Sequence, residues 1–276
     1  MVLKNAFSAA ALGLSLIAAL PAQAAVIRNL DSPIIGFAWT GFDWDSNGTA
    51  FTTGFLPAAG DTFQIDAFTV AANLKNGPNN ILGLKLDSNA DGVSAGAGFY
   101  EYTLRISLQE TVVGCTADGL SCTFNITSGT YQIYYDITPD ANALAGSNGT
   151  GFLDGSLILS GSIFAQPGGT FTVSGTGGSG NTSILGINTF TDLAFINPAQ
   201  TSTTATTTLQ LGSAFTNGYV SPGGFDGVAF AGDPTRIVFQ ADANQSFTEV
   251  PEPTSLALFG LAILAGGVAS RRRIKK

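Results

Sequence analysis

The sequence predicts an all-β fold, a single antiparallel β-sandwich or jelly roll, and three observations carry that prediction. Phe99 to Gln109 alternates strictly: Tyr100, Tyr102, Leu104, Ile106 and Leu108 share one face, and Glu101, Thr103, Arg105, Ser107 and Gln109 share the other. A period of two marks a half-buried strand. Strong helix formers are scarce, with a single Met and few Glu or Lys, and 35 glycines suit many tight turns.

The same reasoning places the remaining strands. Thr62 to Val70, Tyr131 to Ile137, Gly155 to Phe164, Thr170 to Ser174, Thr206 to Leu211 and Arg236 to Gln240 are rich in Thr, Val, Ile, Phe and Tyr, and Gly-Asn-Asp-Pro clusters separate them. Gly175 to Asn181, Gly-Thr-Gly-Gly-Ser-Gly-Asn, reads as a flexible loop. Thr201 to Thr208 is nearly all Thr and Ser. It reads as a polar strand, with O-glycosylation outside the cell as the alternative.

Composition excludes several function classes. The 276 residues are 45% hydrophobic and 11% charged, too apolar for a wholly disordered chain. Histidine is absent, which removes Ser-His-Asp and Cys-His nucleophile systems and His-ligated zinc. Acids outnumber Lys and Arg by 19 to 11, the opposite of the clustered cations that nucleic acid requires.

Both ends read as addresses. Residues 1–24 carry Lys4, an apolar run from Ala9 to Leu20, Pro21, and the small-x-small triplet Ala22-Gln23-Ala24, the pattern of a secretory signal peptide. Residues 25–249 then form the exported domain, whose five cations and eighteen acids give a net charge of −13. Residues 250–276 hold Pro251-Glu252-Pro253, an apolar run from Thr254 to Ser270, and a tail opening on Arg271-Arg272-Arg273. A helix over that run spans about 26 Å, the short end of a membrane crossing, and the cations beyond it favour the cytoplasmic side.

This order of Pro-Glu-Pro, short apolar helix and Arg cluster resembles the PEP-CTERM sorting signal of Gram-negative bacteria. The resemblance implies recognition by an exosortase and cleavage near Pro251, Glu252 and Pro253. Release or re-attachment outside then follows, with the helix a transient inner-membrane anchor and the cell surface or medium the destination.

Inside the domain, Cys115 and Cys122 are the only cysteines and flank Asp118-Gly119, a hairpin turn signal. Export to an oxidising compartment predicts a disulfide between them, stabilising by about 2–3 kcal/mol. Asp87-x-Asn89-x-Asp91-Gly92 and Asp43-x-Asp45-x-Asn47-Gly48 match the first half of an EF-hand calcium loop. Both lack the acidic twelfth residue, where Gly98 and Gly54 stand, so plain Asx turns are the competing reading. Calcium is the one cofactor the sequence suggests.

Among catalytic signatures, no Walker loop occurs. A carboxylate pair hydrolyses glycosides without histidine, but Glu101 falls on the polar face of its strand, where solvated carboxylates are ordinary. Trp39 and Trp44, beside Phe42 in a Gly-rich stretch, are candidates to stack on a sugar ring.

Four phrases resemble the flocculation-associated PEP-CTERM proteins of floc-forming bacteria: Tyr134-Tyr135-Asp136, Gly149 to Gly155, Thr207 to Leu211 and Phe239 to Phe247. That resemblance implies a non-enzymatic surface protein that helps exopolysaccharide hold cells together. A carboxylate-based polysaccharide hydrolase and a passive glycosylated coat are the competing classes.

Overall fold

The structure, a computed structural model, describes residues 25–31 and 36–249. The signal segment at 1–24 and the tail at 250–276, with its expected helix, lie outside the described residues. Among the described residues there is no helix, and hence none long and apolar enough to cross a membrane.

The chain opens with β1 (Ala25–Ile27), β2 (Phe37–Trp39), β3 (Gly41–Trp44) and β4 (Gly48–Thr53). The long β5 (Thr62–Asn76) follows, then β6 (Asn79–Asn80), β7 (Glu101–Cys115) and β8 (Ser121–Asp136). The second half contains β9 (Ser156–Ile163), β10 (Gln166–Ser174), β11 (Gly177–Thr191), β12 (Ile196–Asn197) and β13 (Gln200–Gly212). A short hairpin, β14 (Gly224–Phe225) and β15 (Val228–Ala229), precedes β16 (Val238–Glu249).

The all-β expectation holds, but the sandwich does not. The main sheet closes on itself as an eight-stranded barrel. Around it run β3 with β4, then β5, β7, β8, β9 with β10, β11, β13 and β16, each hydrogen-bonded to the next. Sequence neighbours are spatial neighbours all the way round except at one seam. There β16 pairs antiparallel with the β3–β4 stave, from Val238 opposite Phe51 to Ser246 opposite Gly41. Alternation reports that one face of a strand is buried. It does not say whether that face meets a second sheet or curls toward itself, and closure additionally removes the two open edges a sandwich would retain.

The two ends of the barrel are filled differently. At the end bearing Gly41 and Tyr102, large rings fill the bore: Trp39 stacks on Phe247 with centroids 4.9 Å apart, Phe42 on Trp44 at 4.7 Å, and Tyr102 lies 5.2 Å from Tyr135. Trp44 Nε1 donates to Gln245 Oε1 at 3.0 Å, and Gln245 Nε2 donates to Thr203 Oγ1 at 3.0 Å, so these three buried side chains form one hydrogen-bonded chain. A small sheet of β12, β1 and β2 carries Ala25, Ile27 and Ile196 into the same core. At the opposite end, inward positions shrink to Ala50, Ala67, Gly180 and Ala241.

The glycine-rich stretch at 175–181 is strand rather than loop. Only Gly175 and Thr176 turn between β10 and β11, with Gly175 at φ +61°. A Cβ on either Gly178 or Gly180 would lie 2.7 Å from the Phe171 ring. These glycines make room for a neighbouring aromatic, whereas a linker uses glycine for freedom.

Outside the barrel, Phe51, Phe68 and Val70 form a second apolar cluster covered by Ala141, Phe152, Phe225 and Phe230 from long connections. Phe68 stacks on Phe225 at 4.2 Å, and Arg105 lies over the same Phe225 ring at 5.8 Å.

The seam offers a direct test of closure. A Cβ on Gly41 would lie 2.0 Å from the Gln245 carbonyl oxygen. Gly41→Ala is therefore expected to lower stability by about 1–3 kcal/mol through overpacking, read as a lower Tm in thermal unfolding followed by far-UV circular dichroism.

Candidate functional site

The predicted cysteine pair is joined. Cys115 and Cys122 face each other at the end of the β7–β8 hairpin, Cα to Cα 4.0 Å, in a disulfide. The turn between them is held by Asp118, whose Oδ1 accepts from Thr116 Oγ1 at 2.6 Å and from Leu120 N at 3.1 Å. Those donors hold the Asp118 carboxyl below its ordinary range. Gly119 at φ +71° completes the turn.

The two aspartate loops differ. Asp87 is 2% exposed, and its Oδ2 accepts from Ala95 N at 2.8 Å. The Asn89 amide lies 3.2 Å from Asp87 Oδ1 and 3.3 Å from Asp91 Oδ1, so its NH2, turned inward, donates to both carboxylates. Asp87, Asn89 and Asp91 thus converge on one point. In the other loop, Asp43 accepts from Asn73 of β5, while Asn47 accepts from Gln240 of β16. Asp45 Oδ1 accepts from Asn47 N at 3.2 Å, an Asx turn. Burial, with Asp242 nearby, pushes the Asp45 carboxyl up. The oxygens of Asp43 and Asn47 therefore engage the strands on opposite sides, β5 and β16, while Asp45 turns back on its own loop.

Glu101 is not the solvated carboxylate that its strand face suggests. It is 1% exposed, because the connection after β8 folds over the barrel wall. Its Oε1 accepts from Asp140 N and Ala141 N, both at 3.1 Å, while its Oε2 has no hydrogen-bond partner. Carboxylate oxygens of Glu101, Asp136 and Asp140 lie within 4.8 Å of one another. Burial pushes the Glu101 carboxyl up to about 8, against the two backbone donors, and Asp136 and Asp140 push it further. Near neutral pH this residue carries a proton, which removes one of three crowded charges.

The Trp candidates are also repositioned. Trp39 and Trp44 are 0% and 1% exposed, so neither is available to stack on a sugar. They are plug residues of the barrel. The exposed aromatics are instead Phe164 and Phe190, at 49% and 44%. They flank an outer wall formed by β8, β10, β11 and β13, in which Asp136 is the only charged residue.

Antiparallel register lines this wall with uncharged polar rows. Thr123, Thr170, Asn181 and Thr208 stand side by side across four strands, as do Ser121, Thr172, Ser179 and Gln210. Ser121 Oγ and Thr172 Oγ1 are 3.0 Å apart. Leu185 and Ile187, 52% and 40% exposed, continue the face beside Phe164 and Phe190. The Thr201 to Thr208 segment is strand β13 in this wall. Sequence reading found its Thr content but not its neighbours, because the rows exist only after β8 and β10 pair across the closed sheet.

Comparison with known families matches residues 249–273 to the PEP-CTERM protein-sorting motif. No curated protein and no solved structure matches the chain with significance. The motif contains Pro251, Glu252, Pro253, Arg271, Arg272 and Arg273, all outside the described residues. It marks the protein for exosortase-dependent export to the surface, with an exosortase as the processing partner.

Glu101 gives a stability that depends on pH. Its folded pKa lies above the ordinary 4.5, so the native state holds a proton that the unfolded state has released. Stability from this group is full in acid and is lost as pH rises through about 8. Tm is expected to fall between about pH 5 and about pH 8, and Glu101→Gln, which retains an acceptor for both backbone donors, is expected to flatten that slope.

Proposed function

We propose that this protein acts outside the cell by binding, as a component of an exopolysaccharide matrix that holds cells together in flocs, rather than as an enzyme. The observation that carries the reading is the outer wall on β8, β10, β11 and β13, whose strands carry no charge except Asp136. A domain of net charge −13 repels acidic polymers at long range. A wall of hydroxyls and amides with flanking Phe164 and Phe190 offers hydrogen-bonding and stacking contacts with no like charge to desolvate. Each contact is weak, and many copies on a surface engaging one long polymer supply strength through effective concentration. The sorting tail serves this role as a transient inner-membrane anchor, lost when the exosortase acts.

Calcium at Asp87, Asn89 and Asp91 belongs to the same proposal. Replacing the Asn89 NH2 by its carbonyl oxygen at the convergence point would give three oxygens for one hard cation. Millimolar calcium, with magnesium as control, is expected to raise Tm by mass action. An unchanged Tm removes the cation from the proposal.

Gene deletion tests the main reading. Dispersed cells that still make polysaccharide are the expected result. Altered polymer length would favour a hydrolase, and unchanged clumping would end the proposal. Complementation with Thr170→Glu and Thr206→Glu, exposed positions where charge is tolerated by the fold, is expected to weaken co-sedimentation with purified polysaccharide by about tenfold, since each contact is multiplied along the polymer.

A further inference from the structure

The end of the barrel opposite the aromatic plug encloses a cavity of about 290 Å3, at the lower end of the range for small-molecule sites. Its walls come from the staves in turn, with Ile65, Leu108, Phe124, Ile184, Leu209 and Phe239 among them. The cavity reaches the rim that carries the disulfide hairpin. Pro57 and Leu120 line it there, and both are exposed. Its existence follows from the small inward residues noted above: an eight-stranded bore has a fixed width, and Ala and Gly do not fill it.

The largely apolar lining includes two acidic residues, Asp242 and Glu110, and of these only Glu110 is fully buried. Glu110 continues the inward series Leu104, Ile106, Leu108 of β7, is 4% exposed, and lines the cavity. It makes no hydrogen bond or ion pair with any described residue. A buried carboxyl without a partner is destabilising by an amount that evolution ordinarily removes by substitution with Leu or Gln. Burial alone pushes its carboxyl up to about 7, so the group is available both as acid and as carboxylate near neutrality. By contrast, the other buried Glu, Glu101, has two backbone donors.

We propose that the barrel interior is a binding site for a small apolar molecule with a hydrogen-bond-donating head, a hydroxyl or a protonated amine, whose head group pairs with Glu110 and whose body fills the space between the plug and the rim. The orphaned carboxyl and the unfilled bore then have one explanation: each is completed by the same ligand. Inward and outward side chains alternate along every stave, so Glu110 faces the bore and not the outer wall.

The test uses the purified exported protein and three ten-carbon probes, decylamine, decanol and decanoate, each displacing the fluorophore N-phenyl-1-naphthylamine. Expected is saturable fluorophore binding, displacement by the amine and the alcohol, and at least about tenfold weaker displacement by decanoate at pH 8, where two carboxylates meet. Glu110→Gln is expected to retain fluorophore binding and to weaken the amine by about tenfold, the loss of one charge-assisted hydrogen bond. Ala67→Phe, which fills the bore from β5, is expected to abolish binding with the far-UV spectrum unchanged. Ala241→Leu repeats that test from β16 should the first variant fail to fold. Absence of fluorophore binding to the folded protein overturns the proposal, as does binding that survives the filled bore. An amine affinity indifferent to Glu110→Gln, or decanoate binding as tightly as decylamine, overturns the head-group assignment.

Discussion

Closure of the sheet at the β16 seam is the constraint on which the rest depends. Every other stave pairs with its neighbour in sequence, so those contacts are local and need little chain entropy to form. The seam alone joins the start of the barrel to its end, across nearly the whole domain. Until Val238 to Ser246 lie against Gly41 to Phe51, the inward faces share no enclosed space, and the aromatic plug has no opposite wall. Loop-closure entropy rises slowly with length, so the penalty is modest, and burial of Trp39, Phe42, Trp44 and Phe247 against one another offsets it.

How far this was legible in the sequence differs by feature. The strands were: the alternation from Tyr100 to Gln109 falls on β7, and each of the other segments rich in β-branched and aromatic residues overlaps a strand, with Arg236 and Ile237 lying just before β16. Closure was not, because a period of two is the same in a sandwich and a barrel, and the deciding contact is a register between residues about 200 positions apart. The glycines at 175–181 misled for a local reason. Glycine is used both for freedom and for space, and only the position of Phe171 distinguishes the two.

Site residues follow the same division. Cys115 and Cys122 were legible because their partner is local. Glu101 and Trp39 were misread because their burial comes from elsewhere, Glu101 from the connection after β8 and Trp39 from Phe247 at the far end of the chain. Glu110 sat on the same apolar face as Leu108 in the sequence, a signal that was present but carried no meaning until that face was known to line an unfilled bore. Charge segregation is likewise a property of the closed sheet: the acids gather on loops and on the staves from β3 to β7 and β16, leaving the four remaining staves nearly without charge.

The last stave and the sorting motif share residue 249. No spacer separates the fold from the processing signal. A chain that emerges N-terminus first delivers β3 at the beginning and β16 only when the tail itself arrives, so an incomplete transit leaves seven staves with two raw edges. Completion of the barrel therefore requires export of the chain up to the residue at which the sorting motif begins.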